Sequence, residues 1–325
     1  MSFSPRFSTG LYHHLAPDAM DLPSNNEIDR AFAGLDKMPD VSAVEFFAST
    51  TVTPENVDHV KQRLDDRGLD CSMVHHGEPY IRGQFSEAAF TSPNPTTRRA
   101  AIDMCLRAVD IARALDGLGV YVFTPMDGAD YPFQKDFHSS REYTVEALHE
   151  ICEAAADIKI ALEFRPYAPR GWATVGSVSK ALDFINTINR PNLGIQLEVS
   201  HTLMSLENLA QATWEAAQRN RLFHVHLNDT QLPQDLSTIF GSHHFWECLE
   251  MLYWLQEVEY PYYLGVDVVW TREEPVASGT QFIRNAQFML RILDSLNRPA
   301  LAEAISNNDV LATQEMLWKA LRETS

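Results

Sequence analysis

The chain has 325 residues, 45% of them hydrophobic, and a formal net charge of −18. That charge opposes binding to nucleic-acid phosphates or to an anionic membrane surface, and no apolar run reaches the ~18 residues of a membrane span. The opening MSFSPRFSTG lacks the basic-then-apolar order of a secretory leader, and Cys71, Cys105, Cys152 and Cys248 form no CxxC pair, so the sequence predicts a cytoplasmic protein with reduced, buried thiols.

From the N-terminus, short β-rich apolar runs alternate with longer stretches of helical periodicity. The predicted strands are Phe7–Leu15, Ala43–Ala48, Cys71–His76, Val120–Thr124, Ile158–Arg165, Leu193–His201, Leu222–Asp229 and Tyr262–Trp270. Between them lie predicted helices that include Pro54–Arg67, Thr96–Leu115, Arg141–Ala156, Ser177–Ile188, Leu206–Arg219 and His243–Val258, with Thr53 and Ser205 as capping residues. Such alternation, with near-continuous apolar strands, predicts a parallel sheet covered by helices. Eight units close a (β/α)8 TIM barrel over residues 1–297, and residues 298–325 form a short helical tail. A doubly wound open sheet would carry a Gly-rich fingerprint after its first strand, and the chain has none.

In such barrels chemistry sits at the C-terminal ends of the strands. Strand five ends in Leu-Glu163-Phe-Arg165, strand six in Leu-Glu198-Val-Ser-His201, and strand seven in His224-Val-His226-Leu-Asn228-Asp229, while strand eight carries Asp267. Residues two apart on a strand share a face, so Glu163 pairs with Arg165 and His224 with His226. Three carboxylates converging on one mouth would raise each other's pKa, and a divalent cation resolves that repulsion. Carboxylates with one or two imidazoles and no thiolate favour Mn²⁺, Mg²⁺ or Co²⁺ over Zn²⁺. A lone strand-end acid is ordinarily a cap or a surface charge, and His224 taken alone reads as a residue that orients its neighbours. Of the doublets His13-His14, His75-His76 and His243-His244, strand geometry lets at most one member of each strand pair face the interior.

These residues resemble the xylose isomerase family over nearly the whole barrel. Phe7-Ser-Thr-Gly10-Leu-Tyr12 is similar to its opening strand, and Phe90-Thr-Ser-Pro-Asn with Arg98-Arg99 to its approach to the third helix. Glu163-Phe-Arg165-Pro-Tyr-Ala-Pro169-Arg-Gly171 resembles its Glu-Pro-Lys-Pro-Asn-Glu-Pro-Arg-Gly, Leu197-Glu198-Val-Ser-His201 its Glu-Val-Gly-His, and Leu222-Phe-His-Val-His226-Leu-Asn228 its Leu-Phe-His-Ile-Asp-Leu-Asn. The resemblance implies one metal on Glu163, Glu198, His226 and Asp267, with Glu198 bridging to a second held by His201 and Asp235. Pro233 replaces an aspartate ligand there, which weakens the second site unless Asp229 compensates. Phe47 stands for the family's ring-opening His, Phe123 for its sugar-stacking Trp, and Arg165 for a Lys that can exchange a proton more readily.

The implied activity is aldose–ketose isomerisation of an unphosphorylated monosaccharide, a pentose such as D-xylose or a branched one such as D-apiose. Glu163, Arg165, His201 and Asp267 are the catalytic candidates, and His13, His75, Phe123 and His224 the substrate-binding ones. Hydrogen moves between C1 and C2 by a metal-assisted shift or through an enediol. The alternatives are a ketose 3-epimerase on the same metal and a sugar-binding barrel without catalysis. An apurinic endonuclease of the same barrel type conflicts with the net charge of −18. The loops after strands seven and eight lack the glycines of a phosphate site, which points to a small neutral sugar. Family assembly implies a homodimer or homotetramer, with Tyr80 and Trp172 as candidate cross-subunit aromatics.

Overall fold

A computed structural model describes residues 4–15, 22–48, 50–76, 85–167, 171–267 and 272–324. Eight parallel strands form a closed barrel: β1 Arg6–Gly10, β2 Val41–Phe47, β3 Asp70–His75, β4 Gly119–Phe123, β5 Lys159–Glu163, β6 Leu193–Glu198, β7 Leu222–Leu227 and β8 Tyr263–Val266. Each strand pairs with its neighbours in sequence, and β1 closes on β8 through Phe7↔Leu264 and Thr9↔Val266. The strands are short and almost wholly buried because helices cover their outer face and side chains fill the inside. Val44, Phe46, Val74, Val120, Ile160, Ile195 and Leu264 belong to the large core shared with those helices. Met73, Tyr121, Ala161 and Phe223 form a separate cluster within the barrel.

The outer ring runs α1 Asn25–Leu35, α2 Val57–Asp65, α3 Pro95–Ala114, α4 Phe137–Ala154, α5 Val178–Ile188, α6 Val199–Met204, α7 Leu209–Gln218, α8 Phe245–Glu257 and α9 Pro275–Ser295. The tail is α10 Arg298–Ser306 and α11 Val310–Thr324, with α11 packed back on α9. A two-stranded ribbon, Gly128–Ala129 with Trp172–Ala173, flanks the barrel. Among the described residues no helix is long and apolar enough to cross a membrane, and all four cysteines are free and buried.

Several sequence-based boundaries need correction. β1 stops at Gly10 and turns into a 3-10 helix over Leu11–His14, so His13 lies beyond the strand. β6 stops at Glu198, and His201 stands in the helix that follows rather than on the strand. The strand predicted to reach Trp270 ends at Val266; residues 268–270 and Tyr80 lie outside the described residues. The caps also shift. Asn56, not Thr53, is the residue preceding α2, and Ser205 closes α6 while Asn208 caps α7 by accepting from Gln211 N at 2.8 Å.

Candidate metal centre

Interior-facing positions alternate along each strand, so the last of them meets the C-terminal mouth. Glu163 ends β5, Glu198 ends β6, His226 is penultimate on β7, and Asp267 follows β8 directly. The first three are buried, and the Asp267 side chain is 27% exposed. His226 Nδ1 lies 3.5 Å from both Glu198 Oε2 and Asp267 Oδ2. His201, carried inward by α6, places Nδ1 3.5 Å from Glu163 Oε1 and Nε2 3.4 Å from Glu198 Oε1. Gln196 bridges the two ligand strands, its Nε2 standing 2.9 Å from Glu163 Oε2 and 3.2 Å from His226 Nδ1. Among the described residues, above a buried group of Glu45, His224 and His226, two groups stand at the mouth, Glu163–Glu198–His201 and Glu198–His226–Asp267, and in each of the three the ligand atoms lie within 4.8 Å of one another. Glu198 belongs to both groups at the mouth.

The electrostatics match that crowding. Burial and the neighbouring Glu198 charge push the Glu163 carboxyl well above the usual carboxylate range. Burial also acts to raise Glu198, but His201 and His226 carry it below that range. For His226 burial favours the neutral ring, yet Glu45 and Asp267 hold its pKa well above the ordinary histidine value. The Glu163 shift expresses carboxylate repulsion that a divalent cation would relieve, while the Glu198 and His226 shifts express their mutual attraction. Glu198 Oε2 supplies the fit: it is a buried carboxylate oxygen that accepts no hydrogen bond. Carboxylate oxygens and imidazole nitrogens with no thiolate are a donor set for such a cation.

The side of the mouth assigned to a second metal is built differently. Asp235 Oδ2 lies 3.2 Å from His201 Nε2 and 3.6 Å from the Arg165 guanidinium. Its Oδ1 lies 3.2 Å from Ser200 Oγ, whose one hydrogen has the nearer acceptor in Glu198 Oε1 at 2.8 Å. Asp229 does not take the place of the missing aspartate. It accepts the backbone N–H groups of Thr230, His243 and His244 and faces His244 Nδ1 at 2.7 Å, which ties down its own loop. The Pro233 carbonyl accepts from the Tyr167 hydroxyl.

Around the mouth, His13 Nε2 lies 3.4 Å from Asp267 Oδ1, which also accepts from the Tyr12 hydroxyl at 3.4 Å. Phe47 packs on Tyr12 and edge-on to His75, and Phe123 stacks on His201 at a ring separation of 5.8 Å. His75 is therefore one member of an aromatic wall, held well below the ordinary histidine pKa by burial and by His76. His224 lies deeper and is fully buried. Its Nε2 stands 2.9 Å from Glu45 Oε1, while His226 Nε2 stands 2.8 Å from Glu45 Oε2. Burial would raise the Glu45 carboxyl, but these two imidazoles bring it well below the usual range. Sequence reasoning passed over Glu45. Its signal was a single acid inside the otherwise apolar strand Val-Ser-Ala-Val-Glu-Phe-Phe. Trp172, the candidate cross-subunit aromatic, is 71% exposed at the start of the ribbon strand.

Residues 35–301 match the family model described as a xylose isomerase-like TIM barrel. Xylose isomerase from Thermus thermophilus is 34% identical over 192 residues, covering 56% of this chain and 48% of that protein. The chain thus spans about half the length of that curated relative. Among solved structures, an L-ribulose 3-epimerase is similar with a TM-score of 0.68 at 15% identity, covering 90% of this chain and 99% of that one. A D-allulose 3-epimerase from Methylomonas sp., in complex with D-allulose, is similar with a TM-score of 0.66 at 17% identity, covering 88% and 98%. At these identities the structural likenesses concern the fold.

Proposed function

The chain belongs to the xylose isomerase-like TIM barrel family, and from that premise we propose that it is a divalent-metal-dependent ketose 3-epimerase acting on an unphosphorylated monosaccharide. Glu163, Glu198, His226 and Asp267 would hold the metal, and Mn²⁺, Mg²⁺ or Co²⁺ suits them. When bound, the metal supplies a Lewis acid that polarises the substrate carbonyl.

The observation that carries the reading is the pair Glu163 and Asp267. They come from strands separated by β6 and β7, so they enter the site from different sides. Their surroundings also differ: burial and Glu198 favour the protonated form of Glu163, whereas Asp267 faces the Tyr12 hydroxyl and His13. Two carboxyl groups that approach from different sides are what inversion at C3 requires. Asp267 takes the C3 proton from one face of the sugar and Glu163 returns a proton to the other, with the roles exchanged in the reverse direction. Arg165 and Asp235 close the polar side, and Phe47, His75 and Phe123 supply the apolar one. Epimerase names among the similar structures support the choice.

The second reading is the aldose–ketose isomerase expected from the sequence, favoured by the identity to xylose isomerase. A screen of ketopentoses, ketohexoses, aldopentoses and branched aldoses with each metal separates the two. In deuterated water the epimerase gives a 3-epimer carrying solvent deuterium at C3. A product interconverted only between C1 and C2 would overturn the first reading in favour of the second. Absence of turnover on the whole panel would sink both.

A further inference from the structure

Glu45 joins β2 to β7 across the barrel interior, 181 residues before His226. Its Oε1 accepts from Ser8 Oγ at 2.7 Å and faces His224 Nε2 at 2.9 Å, and its Oε2 faces His226 Nε2 at 2.8 Å. An ionised carboxylate only accepts, so each imidazole must present Nε2–H to it. On His226 that leaves Nδ1, the nitrogen 3.5 Å from both Glu198 Oε2 and Asp267 Oδ2, as the atom turned to the mouth.

The surrounding backbone is shaped for this contact. The β2–β3 pairing shifts register between Val44 and Glu45, and a bulge of that kind re-aims the side chain beside it. Opposite, β8 passes with Gly265. A Cβ there would overlap Glu45 Oε1 and stand 2.8 Å from His224 Nε2 and 3.0 Å from His226 Cδ2. Only a glycine leaves room for the three side chains.

We propose that Glu45 is a positioning residue of the metal centre, fixing His226 in the Nε2–H form so that its ring presents Nδ1 to the cation. The inference rests on the metal reading of the mouth. A carboxylate behind a ligating imidazole sets both ring orientation and tautomer, and removing such a partner typically lowers metal affinity about 10–100-fold. His224, held by the other oxygen, fills the interior behind His226 and does not itself meet the mouth.

Glu45→Gln tests the role. The amide keeps the volume but replaces one acceptor oxygen with an N–H donor, so one of the two imidazoles must face a donor. Mn²⁺ binding to chelator-stripped protein, read by titration calorimetry and by the Mn²⁺ paramagnetic resonance signal, should weaken about 10–100-fold with the circular dichroism spectrum unchanged. His224→Asn, which leaves the Glu45–His226 contact in place, should change it by less than about threefold. A Glu45→Gln protein that is folded and binds Mn²⁺ as the wild type does would overturn the proposal. So would an equal loss in His224→Asn, which would move the cation down to Glu45, His224 and His226. If Glu45→Gln does not fold, nitrogen-15 spectra of histidine-labelled wild-type protein decide. A slowly exchanging Nε2–H on His226, with or without Mg²⁺, is expected, and a proton on Nδ1 with Nε2 bare would refute it. If the wild type binds no metal at all, the metal reading fails and the same spectra still decide the role of Glu45.

Discussion

Glu198→Gln is the most informative single substitution, because Glu198 is shared by both groups at the mouth. Its Oε1 accepts from Ser200 Oγ at 2.8 Å and Asn228 Nδ2 at 2.9 Å, contacts that a Gln oxygen keeps. The change falls on Oε2, the buried oxygen without a hydrogen bond, which becomes an N–H donor facing His226. Losing a group that merely orients a ligand costs up to ~100-fold in metal affinity, so losing this oxygen and its charge should cost at least that. At metal a thousandfold above the wild-type Kd, binding adds ~4.1 kcal/mol to stability. Unfolding entropy of ~2.1 cal/mol/K per residue over 325 residues converts this into a rise of ~6 °C in Tm. After a ~100-fold loss the same metal adds ~1.4 kcal/mol, or ~2 °C. Scanning calorimetry of stripped protein with and without MnCl₂ measures both rises. Without metal the variant should melt lower than the wild type, since against burial His201 and His226 hold the Glu198 carboxyl below its usual range and that stabilising charge is lost, so the metal-induced rise and not the absolute Tm is compared. An undiminished metal-induced rise in Glu198→Gln would refute the assignment.

Three further outcomes follow from the geometry. Asp267→Asn and Glu163→Gln should each lower turnover about 10²–10⁴-fold, with deuterium exchange at C3 lost together with it; exchange that continues at the wild-type rate in both variants would remove them as acid and base. Gly265→Ala drives a methyl into Glu45 and His224, so it should cost about 1–3 kcal/mol in denaturant unfolding and weaken metal binding; a neutral result on both counts would contradict the packing. His76 is buried and its pKa is lowered to about 3, with burial the main cause. The unfolded chain, protonating near ~6.5, then binds the proton first, so stability falls as pH drops below that value and continues to fall toward the folded pKa. The loss from this group is about 2 kcal/mol between pH 7 and 5, and urea unfolding of His76→Gln should show a shallower pH slope than the wild type. Parallel slopes would assign the acid sensitivity elsewhere.

Much of the candidate site was legible because barrel geometry projects local pattern onto one place. Glu163, Glu198, His226 and Asp267 each close an apolar strand, and any residue in that position must reach the mouth. His201 and Asp235 were also named, although one arrives on a helix and the other on a loop. The inner layer was harder to read. His224 and His226 share a face of β7, and their spacing sets His224 one layer lower, but nothing local to β7 records that an acid on β2 meets both rings.

The sequence alone determined the eightfold strand–helix alternation, the parallel sheet it demands, and the four strand ends that crowd charge at one mouth, because these depend on neighbours a few residues apart. Tertiary structure alone decided that Glu45 stands behind His226, that Asp229 is committed to its own loop, and that Gly265 clears the space between them. Barrel closure sets those contacts by bringing β1 beside β8 and by shifting register at Phe7/Ser8, Val44/Glu45 and Ile195/Gln196. A one-residue bulge re-aims every side chain beyond it, and no local pattern in the chain records where that happens.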